Sequence, residues 1–198
     1  MTGAVRRGRG QHHGDLRNAL ERAALDLVGE RGPQGFTLAE ASRRAGVSVA
    51  APYKHFADRD ALLAALARRG YDEQHERFER AMGADHDPVE QLAAFAAAYV
   101  QFASDERALF EITFSAGLRK DRYADLAQAG DRVLQLLRGP AEQLRADPDA
   151  ALDLVQAVGA VAHGFAAFLS EGVFGDPVQA LELTKRRARD AARKLVRA

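Results

Sequence analysis

Three of the six prolines follow an aspartate, at Asp87-Pro88, Asp147-Pro148 and Asp176-Pro177, and this pairing limits the possible folds more than any other feature. An aspartate carboxylate accepts from the free N–H groups of a helix's first turn, and a proline just inside that turn forfeits no helical bond. Each pair therefore opens a helix. Elsewhere apolar residues recur at three-four spacing, and no convincing run alternates β-branched with polar residues. The chain is expected to be all-α, with about nine helices.

The first helix is expected over residues 15–31, where Leu16, Leu20, Ala23, Ala24, Leu27 and Val28 form an apolar stripe that Gly32-Pro33 stops. Thr37-Leu-Ala-Glu40 is a capping box, so a second helix starts there and ends before Gly46. Ser48 caps a third helix and Asp58 a fourth, which carries Leu62, Leu63 and Leu66. Helices over residues 104–116 and 122–145 join the three opened by Asp-Pro pairs. The N-terminal stretch MTGAVRRGRGQHHG, rich in Gly and Arg, is expected to be a flexible arm.

Composition excludes several classes. Without cysteine there is no disulfide framework, thiolate zinc site or thiol nucleophile, and a cytoplasmic location fits. The N-terminus lacks the apolar segment of a signal peptide. The most apolar run, Leu154 to Leu169, is broken by Gln156 and His163 and falls short of the ~20 residues of a membrane span. It reads as a helix buried on several sides, and no membrane partner is expected. Phosphate-loop, dinucleotide, zinc-protease and nucleophile-elbow motifs are missing, and the histidines are scattered, so no cofactor, metal site or catalytic residue is expected. The net charge of zero conceals a basic first 70 residues and an acidic remainder, which turns the N-terminal part toward a polyanion.

The stretch VSVAAPYKHF, Val47 to Phe56, gives that polyanion a surface. A second helix, a four-residue turn containing Gly46 and a short third helix make a helix-turn-helix, with the first helix closing a small core. If Pro52 and Phe56 point inward, Ala50 and Lys54 point away, with Ala51 and Tyr53 on the flanks. Val49, Ala50 and Ala51 let the backbone approach base edges and offer methyls to thymine, while Lys54 reaches a guanine edge or a phosphate. Tyr53, His55, Arg59 and the backbone N–H groups at the caps of the second and fourth helices, Thr37 and Asp58, suit phosphate contacts. Pro52, within a turn of the cap, is expected to leave the helix intact. Arg6, Arg7 and Arg9 are placed to follow the phosphates or enter a minor groove of double-stranded DNA.

These residues, through GFTLAEASRRAGVSVAAPYKHFADRDALLAAL, resemble the TetR-type transcriptional regulators. The resemblance implies DNA contact at Thr37, Ser48, Val49 to Ala51, Tyr53, Lys54, His55 and Arg59, and a homodimer. It divides the chain into an arm (1–14), a DNA-binding domain (15–60) and an effector-binding and dimerisation domain (61–198). Ala51-Pro52 stands where many relatives carry a hydroxyl before the tyrosine. The segments AYVQFASDERALFEITFSAG and AVAHGFAAFLSEG are similar to a C-terminal subgroup marked by Trp-His-Gly, here Ala162-His163-Gly164.

In the larger domain Phe95, Tyr99, Phe102, Phe110, Phe114, His163 and Phe168 are the candidates for a pocket that takes an unknown small-molecule effector. Val155, Val158, Ala162 and Phe165, with Leu181, Thr184, Ala188, Ala191 and Leu195, are the candidates for half of a four-helix dimer interface. The expected function is a ligand-responsive repressor that binds a near-palindromic operator as a homodimer and is released by its effector. A helical protein-interaction module and an enzyme using His163 in an aromatic pocket are the alternatives; the enzyme needs a carboxylate within reach of His163.

Overall fold

The computed structural model describes residues 9–119 and 122–197, with side chains from Leu16 onward. They form eight helices: α1 (Arg9–Arg31), α2 (Leu38–Arg44), α3 (Arg59–Met82), α4 (Pro88–Asp105), α5 (Arg107–Ser115), α6 (Ala124–Leu144), α7 (Pro148–Ser170) and α8 (Pro177–Arg197). The segment Pro52–Lys54 forms a 3-10 turn, and there is no strand among the described residues. The all-α expectation holds. Helix α1 begins earlier than expected, so residues 9–14 of the proposed arm are helical; Arg6 and Arg7 lie outside the described residues.

The caps behave as their chemistry dictates. Thr37 Oγ1 accepts from Glu40 N at 3.2 Å while Thr37 N donates to Glu40 Oε2 at 2.8 Å. Asp58, Asp87, Asp147 and Asp176 accept from first-turn N–H groups of α3, α4, α7 and α8. Gly46 makes the turn after α2 at φ +71°, where a side chain would be strained.

The third helix is the exception. Ser48 gives no side-chain cap, and the segment winds as short successive turns, Ala51 N donating to the Ser48 carbonyl at 3.0 Å and His55 N and Phe56 N both donating to the Pro52 carbonyl at 2.8 and 2.9 Å. Pro52 is the cause: it has no N–H to return to Ser48, and its ring crowds the carbonyl that an α-turn would place there. Pro52 is still buried, as is Phe56, which belongs to the core with Leu20, Leu27, Leu38, Ala41, Leu62 and Leu66.

Helix α4 is the axis of the larger body, packed against α3, α5, α6, α7 and α8. Its Phe95 lies 5.0 Å from Phe78 of α3, edge to face. Helix α3 serves both parts, contributing Leu62, Leu63 and Leu66 to the head core and Tyr71, Gln74 and Phe78 to the body. It lies close to α5 at Gly70, where a Cβ would come within 2.9 Å of Thr113 Oγ1. By length and composition alone α7 qualifies to cross a membrane, since Asp147-Pro148 opens it before the apolar run; here it packs on α4, α6 and α8. One face stays open, with Leu152 and Phe168 about half exposed, so the expectation of burial on several sides holds only in part.

Candidate functional site

The head presents Val49, Ala50, Tyr53 and Lys54 to solvent and buries Pro52 and Phe56. Tyr53 is 64% exposed, which frees its phenol for a partner outside the chain. Ser48 is exposed beside them and Ala51 partly so. Other expected contacts are already engaged. The Thr37 hydroxyl is held by Glu40, and Arg59 donates to Asp60 at 3.0 Å and to Gln34 Oε1 at 2.9 Å. His55 departs from the expected phosphate contact: its Nε2 is buried, and its ring lines a cleft with Arg17, Phe56, Arg68 and Tyr123. The tight turn at Pro52 swings it toward the body. Arg9 begins α1, and its side chain lies outside the described ones.

A second concavity opens in the body, a cavity of about 500 Å³ between α3, α4, α5, α6 and α7. Phe95, Tyr99, Phe114 and His163 line it, as the aromatic spacing anticipates. The Tyr99 hydroxyl and His163 Nδ1 share a hydrogen bond of 3.0 Å, and the His163 ring stands 4.8 Å from Phe114. Burial holds the Tyr99 phenol well above its usual range and His163 below its own, so both are neutral near pH 7. Among the described residues no carboxylate bonds His163, which removes the acid–base partner the enzyme reading needs. Nor could any group of three or more His, Asp and Glu among them hold a metal ion.

Three of the expected pocket residues fall elsewhere. Phe102 is fully buried behind the cavity, under the Arg77 guanidinium at 5.5 Å. Phe110 backs His163 at 5.5 Å without facing this cavity, and Phe168 lies on the outer surface against Phe174 at 5.8 Å. Each is on a helix that borders the cavity but on another of its faces. The sequence reading missed Tyr71 and Gln74 of α3, Gly130, Val133 and Leu134 of α6, and Gly159 of α7. Gln74 was detectable: with Tyr71 and Phe78 it makes a three-four stripe, and an amide in an apolar stripe is a signal. It is 1% exposed, and among the described residues its Nε2 has no hydrogen-bond partner. Leaving such a donor unpaired costs about 1–3 kcal/mol.

The interface residues also divide. Val158, Ala162, Thr184 and Ala188 are fully buried within the chain, and Val155 lines the cavity, so these five are not surface for a partner. The apolar stripe of α8 faces its own α4 rather than outward. Phe165, Leu181, Ala191 and Leu195 are half-buried. The outward ridge of α7 recurs every fourth residue, Leu152, Gln156, Ala160, Gly164 and Phe168, which suits ridge-into-groove packing.

Comparison with known proteins matches both parts. Residues 21–66 fit the family model of tetR-family bacterial regulatory proteins, and residues 92–191 that of the tetracyclin repressor-like C-terminal domain. The chain is 45% identical over 58 residues to the class A tetracycline repressor of Escherichia coli, covering 29% of this chain and 27% of that protein. It is 30% identical over 120 residues to the HTH-type transcriptional regulator BetI of Brucella anthropi, covering 61% of this chain and 60% of BetI. The chain thus spans less than two thirds of either relative. A solved structure of a protein of unknown function from Rhodococcus sp. RHA1 superposes with a TM-score of 0.74 at 30% identity, over 94% of this chain and 98% of that one. The head with its exposed alanine-lysine turn and the body with its cavity are the two halves these models describe, and the chain belongs to the TetR family of bacterial regulatory proteins, which bind DNA and are not enzymes.

Proposed function

We propose that the chain is a homodimeric repressor whose two heads occupy successive major grooves of a near-palindromic operator, and that a small molecule in the body cavity releases it. The observation that carries this reading is that one helix serves both sites: α3 starts at Arg59 beside the exposed turn and bears Tyr71 and Gln74 on the cavity wall. A rigid helix tilted at its cavity end moves the head at the other. A coupling of about 1–3 kcal/mol would loosen DNA binding 5- to 150-fold.

In this reading Val49, Ala50 and Lys54 meet base edges, Tyr53, Ser48 and Arg59 meet phosphates, and Arg6, Arg7 and Arg9 read groove shape. Arg59 must then leave Gln34 or Asp60. The outward α7 ridge meets its copy in the dimer, and the protein works in the cytoplasm, where the duplex is. A gel shift against the promoter beside its own gene, with sedimentation of the free protein, tests this. Saturable binding of a dimer supports it; a monomer, or equal affinity for operator and random duplex, rejects it.

A further inference from the structure

The cavity's lining restricts what enters it. Tyr71, Phe95, Tyr99, Phe114 and His163 bring five rings to it from α3, α4, α5 and α7. Small residues of α6 and α7 leave the room: a Cβ built on Gly159 meets nothing within 4 Å. No lysine or arginine lines the cavity among the described residues, and its one carboxylate, Asp131, is exposed at the rim with Leu134, Gln156 and Ala160. An anion would meet no countercharge inside and a like charge at the entrance. Among the described residues that line the cavity, Gln74 carries a buried donor with no partner, Nε2. Tyr99 and His163 share one hydrogen bond through Nδ1.

We infer that the cavity takes an uncharged, ring-bearing molecule with a carbonyl-type oxygen that accepts a hydrogen bond from Gln74 Nε2. This rests on the reading of the cavity as the effector site. A ketone, ester, lactone or amide on a flat ring system meets both demands, stacking among the rings while its oxygen pairs the amide. A hydrocarbon of the same shape leaves the amide unpaired, and a carboxylate brings a charge with no partner.

Three probes of one shape test this by calorimetry on the full chain: methyl naphthyl ketone, isopropylnaphthalene and naphthoate. The ketone is expected to bind about tenfold tighter than the hydrocarbon, the worth of one hydrogen bond to a buried donor, and naphthoate weakest. In Gln74→Met the ketone's advantage disappears while the hydrocarbon still binds, which also shows that the variant is folded. Infrared spectra of the bound ketone in the unaltered protein give a second reading: its carbonyl stretch is lowered relative to hexane, and returns toward the hexane value in Gln74→Met. Equal ketone and hydrocarbon affinity, an advantage that survives Gln74→Met, a carbonyl stretch as in hexane, or tightest binding by naphthoate overturns the inference and leaves the effector reading standing. Binding of none of the three overturns both.

Discussion

Gln34 Nε2 donates to the carbonyl of Ala116 at 2.6 Å, joining the loop after α1 to the end of α5. The same amide accepts from Arg59 through Oε1, so one side chain touches both the start of α3 and the helix that carries Phe114 to the cavity wall. This is a second route between body and head, beside α3 itself.

Gln34→Ala removes both bonds while leaving Arg59 its pair with Asp60. The bond to Ala116 is part-buried and the one to Arg59 exposed; each contributes about 0.5–1.5 kcal/mol, so stability should fall by roughly 1–3 kcal/mol at most. The expected result is DNA affinity within about threefold of the parent, faster amide exchange around Gly35 to Thr37, and a smaller ratio of DNA affinities without and with effector. An unchanged ratio would show that α3 alone carries the coupling.

Lys54→Ala should weaken operator binding by at least about 1 kcal/mol if the ammonium reads a base edge. Random duplex should lose less, because a phosphate contact weakens all sequences alike and shows as a shallower salt dependence. Fluorescence anisotropy on both duplexes at several salt concentrations separates these, and equal losses reject base reading.

Gly159→Leu places a side chain where a Cβ finds open space on the cavity wall. Replacing a mid-helix glycine gains about 0.5–1 kcal/mol in backbone entropy, and the leucyl group fills part of the cavity. The variant should melt higher, keep its operator affinity and no longer be released by effector. Release at the parent's effector concentration would put the ligand elsewhere.

Phe168→Glu combined with Leu152→Glu alters two side chains on the outward α7 ridge, 49% and 47% exposed. Exposed positions contribute little to the fold of one chain, whereas a carboxylate in an apolar interface is costly. Sedimentation should shift toward monomer with little change in the far-UV spectrum, and operator binding should fall because paired half-sites need paired heads. A dimer of undiminished stability would place the interface on another face.

Most of the helices were legible because their ends are local chemistry: Asp87, Asp147 and Asp176 each cap within three residues in sequence. The third helix was not, because the same proline chemistry that opens a helix at the first position breaks one at the fourth, and Pro52 is the fourth residue after the expected cap Ser48. The cavity was half legible. Aromatic spacing finds rings, but which side of α4, α5 or α7 faces the space depends on long-range packing, so Phe102, Phe110 and Phe168 were grouped with Phe95, Tyr99 and Phe114. Thr184 and Ala188 failed likewise: a three-four stripe shows that a face is covered, not whether the cover is the same chain or its copy.

His163 connects the cavity to pH. Burial depresses it below its ordinary 6.5, so as pH falls beneath that value the unfolded chain takes up the proton first. Its contribution to stability is complete above 6.5, declines from there down to the depressed value and is constant below it. Glu30, Glu40 and Glu90 are lowered as well, from 4.5, by their hydrogen bonds to Arg44, Thr37 and Arg193, so their losses come at lower pH. His163→Phe keeps a ring beside Phe114 and abolishes only the titration, at the cost of leaving the Tyr99 hydroxyl without its partner. Melting temperatures measured from about pH 8 to about pH 5 should show the parent falling relative to His163→Phe just below 6.5. Parallel curves through that window would mean that His163 takes up its proton equally in both states, and so is solvated rather than desolvated at the cavity wall.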